Sequence, residues 1–132
     1  MSDDEVVDVL VVGSANLDLV ATTRRLPGPG ETVLGDDYAE HAGGKGLNQA
    51  VAAARSGART AFRSALGDDD AATRLSAILA TERIDASDVR RVDGPTGRAL
   101  IVVDEHGENS IVVVPGANGH VRPLPPRPAQ VV

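Results

Sequence analysis

The chain has 132 residues, 42% of them apolar and 24% charged, enough for one compact domain or a piece of one and unlike a disordered chain. Its formal charge of −6, from 19 acidic against 13 basic residues, argues against nucleic acid or an anionic membrane as a partner. With no cysteine there can be no disulfide framework, thiolate metal site or thiol redox chemistry.

The first predicted element is a strand over Val6 to Val12, apolar and rich in β-branched residues, stopping at Gly13, as suits a strand covered on both faces of a parallel sheet. It is too short to cross a bilayer, and the acidic residues before it are the opposite of a secretory signal, so a cytoplasmic location is expected. From Ser14 to Val20 the pattern alternates. Ser14, Asn16 and Asp18 fall on one face, with Ala15, Leu17 and Leu19 on the other. Leu26 to Gly30 reads as a turn, and Glu31 to Leu34 as a short strand after it.

Gly43-Gly44-Lys45-Gly46 is a glycine-hinged loop feeding a helix with Leu47, Ala50, Val51 and Ala54 on one face and Gly57 as its stop. Thr60 to Leu66 is the next strand, and Asp68-Asp69-Asp70 cap a helix carrying Leu75, Ile78 and Leu79; capping is favoured here over a magnesium cluster. Val89 to Val92 follows, then a hairpin from Arg98 to Val103 and Ser110 to Val114. Strand, helix, strand, helix is the order of an α/β unit. Residues 119–132 hold four prolines and no periodicity, so an extended or disordered tail is expected there, natural or out of frame.

Two clusters can carry chemistry. Asn16 and Asp18, two apart in a strand, emerge on one face roughly 7 Å apart. A carboxylate accepts from neighbouring hydroxyls and an amide adds a donor and an acceptor, which suits a polyol; solvated turn residues are the plainer reading. Lys45, the only lysine, and Asn48 share a face at the start of a helix whose first-turn amides are expected to be free to donate. The glycines permit close backbone approach. No P-loop or dinucleotide fingerprint is present, because Lys45 is not followed by Ser or Thr and Gly13 has no glycine two residues on. His41, His106 and His120 lack metal-ligand spacing.

Gly13-Ser14-Ala15-Asn16-Leu17-Asp18, Pro29-Gly30-Glu31-Thr32 and Gly43-Gly44-Lys45-Gly46-Leu47-Asn48-Gln49-Ala50 resemble, in order and spacing, the N-terminal region of the ribokinase-like, phosphofructokinase-B type of carbohydrate kinases. Gly67-Asp68-Asp69, Thr96-Gly97 and Pro115-Gly116-Ala117-Asn118 extend the likeness over residues 6–118. The resemblance implies an α/β fold: the first β-α-β-α units of a partial Rossmann-like parallel sheet, with a small β-sheet lid from segments near 15–40 and 96–114. It implies a ribose-like sugar held by Asn16, Asp18, Gly44, Lys45, Gly46 and Asn48, with Ala99 and Val113 touching it from the lid or serving only sheet packing. A homodimer through the lid is a further implication.

The family's Gly-Ala-Gly-Asp segment, which supplies the anion hole and the aspartate base, does not occur in this sequence. Nor do the parts that serve ATP, magnesium and a monovalent cation in full-length relatives. No catalytic residue is therefore assigned, and the chain is expected to be inactive alone, as a fragment lacking the C-terminal half. The rival readings are a non-catalytic sugar-binding or dimerising module, and one half of a split kinase.

Overall fold

A computed structural model describes residues 6–122 and 128–132. β1 (Val7–Val12), β4 (Thr60–Leu66), β5 (Val89–Arg91) and β8 (Ala129–Val131) form a parallel sheet in the order β5-β4-β1-β8. All seven residues of β4 are buried, as a central parallel strand requires. Helices α1 (Lys45–Arg55) and α2 (Asp70–Thr81) pack on this sheet. Leu47 and Ala50 of α1, with Ala72, Leu75 and Leu79 of α2, join Val11, Phe62 and Leu66 in one buried core. Val7, Leu10 and Ala61 form a second, smaller cluster.

The helix ends follow from their residues. Asp69, extended in backbone, accepts from the Ala72 N–H as the N-cap of α2. Gly57, at φ +96°, ends α1 in the left-handed conformation that a side chain would disfavour.

The second sheet has the order β3-β2-β6-β7, from β2 (Asn16–Thr23), β3 (Gly35–Gly43), β6 (Gly97–Val103) and β7 (Asn109–Val114). β2 lies parallel to β6 and antiparallel to β3, and β7 closes the expected hairpin on β6.

One local expectation is corrected. Glu31 to Leu34 is not a strand: the Glu31 carboxylate binds the Arg25 guanidinium and the Gly28 N–H, and the Glu31 N–H donates to the Gly28 carbonyl, which ties the segment into a turn. The strand begins instead at Gly35, where nine residues with few strand formers are held by pairing along the whole of β2. Of the 119–132 segment, Gly119 and His120 close the 3₁₀ turn Gly116–His120, and Ala129–Val131 form strand β8 against Val7 and Val9. Residues 123–127 of that segment lie outside the described residues.

Candidate functional site

The two sheets are joined where β1 passes through Gly13, Ser14 and Ala15 into β2, and where β3 passes through Gly44 into α1. These crossings lie backbone against backbone. A Cβ on Gly46 would stand 2.7 Å from the Gly13 carbonyl carbon and 2.8 Å from the Ser14 nitrogen. One on Gly44, at φ +93°, would stand 2.8 Å from the Ser14 carbonyl oxygen. Only glycine permits this approach, and it brings the first residue of α1, Lys45, to the start of β2.

Part of the donor capacity expected at this helix start is already spent. The Leu47 N–H donates to the Ser14 carbonyl at 2.9 Å, and the Asn48 N–H closes the first helical turn on Gly44 at 3.0 Å.

Asn16 pairs with Gly43 and Gly97, and Asp18 with His41 and Ala99. Ala99 in turn pairs with Val113, so His41, Asp18, Ala99 and Val113 make one row across all four strands. The Asp18 carboxylate lies over Gly43, its Cγ 2.6 Å from where a Cβ on that glycine would sit. Burial pushes the Asp18 carboxyl above its ordinary range, and the His41 imidazole pulls it back. Ala99 is buried and Val113 is exposed on the edge strand.

The Asn16 side chain is held from behind. Its Oδ1 accepts from Asn118 Nδ2 at 2.7 Å, and Asn118 is further bonded to both polar groups of the Ala15 backbone. Gly97 makes room for this pair, since a Cβ there would stand 2.5 Å from Asn16 Oδ1 and collide with Asn118 Nδ2.

Asn16, Asp18, Gly44, Lys45, Gly46 and Ala99 therefore surround one junction, with Val113 at the end of the row. Asn48 is placed differently. It is exposed and lines a groove of about 430 Å³ between α1 and α2, beside Ala42, whose register partner Leu17 faces away from Asp18. Sequence reasoning passed over two residues at this junction, His41 and Asn118. The even spacing from Gly43 to His41 is a signal for the first once β3 is known, whereas the second shows only as the last residue of the Pro115-Gly116-Ala117-Asn118 segment.

A second cluster locks the other crossing. Thr96 is fully buried; its hydroxyl donates to Asp69 Oδ1 at 2.6 Å and accepts from the Gly67 N–H at 2.9 Å. The Thr96 N–H and Arg98 Nη1 donate to Asp69 Oδ2, at 2.9 and 3.2 Å. Burial alone would raise the Asp69 carboxyl, but the bonds from Thr96, Ala72 and Arg98 outweigh it and hold it at about 2.

Residues 7–128 match the model of the pfkB family of carbohydrate kinases. Ribokinase of Haemophilus influenzae is 45% identical over 112 residues, covering 84% of this chain and 37% of its own length. Ribokinase of Giardia lamblia superposes with a TM-score of 0.82 at 36% identity, over 90% of this chain and 36% of that one. Arabidopsis thaliana ribokinase, solved with ribose and ATP, superposes with a TM-score of 0.76 at 38% identity, over 86% of this chain and 38% of that one. This chain thus spans little more than a third of the length of these relatives. Among the described residues no helix is long and apolar enough to cross a membrane. With its parallel sheet, its second mixed sheet and the glycine-built crossing between them, the chain belongs to the pfkB family of carbohydrate kinases.

Proposed function

We propose that these residues form the sugar-binding part of a ribokinase-type enzyme that phosphorylates the primary hydroxyl of ribose or a related sugar at the expense of ATP. The observation that carries this is the Asp18 carboxylate lying over Gly43, next in the chain to Gly44 and Lys45. A carboxylate can accept hydrogen bonds from two adjacent hydroxyls, and an ammonium and an amide beside it supply donors; a polyol offers the complementary pattern. Asn16, Asp18, Gly44, Lys45 and Gly46 are the proposed contacts. Ala99 supplies an apolar floor and Val113 an apolar edge, while Asn48, in the groove between α1 and α2, stands outside this set.

The described residues do not fit a nucleotide or its magnesium ion. The glycine loop is filled by its own backbone and spends the Leu47 amide on Ser14, so it is no phosphate cradle. Asp69 spends both oxygens on Ala72, Thr96 and Arg98, and no three acidic or histidine side chains gather among the described residues. The contribution of this chain is to bind and orient the sugar, and alone it transfers no phosphate. Its exposed β7 edge, where Ile111, Val112 and Val113 are 50%, 61% and 58% accessible, supports pairing of two copies through the second sheet, which acts as a lid.

Titration calorimetry with ribose on the wild type and on Asp18→Ala tests the pocket. Binding by the wild type that is weakened at least tenfold in the variant is expected; equal heats from both refute the assignment. ATP-dependent ribose phosphorylation by the purified 132-residue chain would overturn its proposed inactivity.

A further inference from the structure

We infer that Asn118 is a positioning residue that fixes Asn16 as a hydrogen-bond donor toward the ligand. The inference rests on the sugar-site reading for its consequence, though its geometry stands apart from it.

The Ala15 backbone N–H can only donate and its carbonyl can only accept. Asn118 meets both, its Oδ1 3.0 Å from the Ala15 nitrogen and its Nδ2 3.2 Å from the Ala15 oxygen. The opposite orientation would face donor to donor and acceptor to acceptor, so the backbone alone decides which end of the Asn118 amide is which. That same Nδ2 lies 2.7 Å from the Asn16 side chain. An NH₂ group has no acceptor capacity to offer, so Asn16 must present its carbonyl oxygen to Asn118 and turn its own NH₂ away.

Gly97 prevents any side chain from intruding between the two amides. Asn16 and Asp18 are two apart on one strand and share a face. That face therefore carries an NH₂ donor beside a carboxylate acceptor, in an order set by a residue 102 positions later in the chain. The matching ligand has neighbouring hydroxyls, one accepting from Asn16 and one donating to Asp18. A half-buried Asn118 amide bonded at both ends keeps such an arrangement from rotating.

The test uses side-chain amide NMR on the full chain, read without sugar, together with ribose titration. In the wild type the Asn118 NH₂ should exchange with water at least tenfold more slowly than the Asn16 NH₂. In Asn118→Asp a carboxylate replaces the donor, so Asn16 should turn over, its NH₂ becoming protected and its oxygen facing the ligand beside Asp18. Ribose affinity should then fall at least tenfold with the fold intact. A protected Asn16 NH₂ in the wild type overturns the inference, as does a folded Asn118→Asp chain with unchanged Asn16 exchange. If Asn118→Asp does not fold, the wild-type exchange rates decide alone. If the exchange pattern holds and the wild type binds no ribose, the amide relay stands and the sugar reading fails.

Discussion

Thr96 and Asp69 are joined twice, hydroxyl to Oδ1 at 2.6 Å and backbone N–H to Oδ2 at 2.9 Å, so the cap of α2 also anchors the start of β6. Removing the carboxylate by Asp69→Ala withdraws the cap, at ~1 kcal/mol. It also leaves the Thr96 N–H and hydroxyl short of an acceptor in a buried site, at ~1–3 kcal/mol more. Urea denaturation should report a loss on that scale, and a change within ~0.5 kcal/mol would show that the cluster holds nothing.

The same carboxylate sets an acid limit. Its folded value of about 2 lies below the ordinary 3.8, so folding holds fewer protons than the unfolded chain between those values. The stabilisation is complete above pH 3.8 and is lost as pH falls toward 2. Acid unfolding of the wild type should therefore steepen in that window, and Asp69→Asn should flatten it.

Gly43→Ala separates binding from folding. The added methyl would fall within 2.6 Å of Asp18 Cγ, so the carboxylate must swing off the glycine. Ribose affinity should fall at least tenfold while the melting temperature drops only a few degrees. Gly46→Ala should behave otherwise, because its methyl meets the Gly13 and Ser14 backbone and a loss of ~1–3 kcal/mol in stability is expected.

Charge on the β7 edge should dissolve the proposed pairing of copies. Val112, 61% exposed, can carry Lys without burying its charge, so Val112→Lys should leave the monomer fold intact. Sedimentation should show a self-associating wild type and a monomeric variant. A monomeric wild type at the same concentration would refute the interface.

Much of the first sheet is legible in the sequence because its signals are local. Val7–Val12 is apolar but for Asp8, Thr60–Leu66 ends at a glycine, and α1 shows its apolar face and its Gly57 stop within one window. β3 is not legible, since Asp36, Asp37 and Glu40 carry no strand propensity and the strand exists through its ladder on β2. β8 is masked by the prolines before it. At the site, the alternation of Asn16 and Asp18 and the glycines around Lys45 are visible from spacing alone. Asn118 is not, because its partners lie 102 and 103 residues away and no periodicity spans that distance.

The parallel pairing of β2 with β6 has a consequence for how the molecule comes together. A hairpin could zip as soon as its turn formed, but these two strands stand on either side of β3 and of the layer made by α1, β4, α2 and β5. The entropy of closing so long a loop is lowered only once the intervening elements have collapsed into their own layer. The row containing Asp18 is thus completed late, and during ribosomal synthesis Asn16 and Asp18 must wait for some eighty further residues before β6 arrives to flank them.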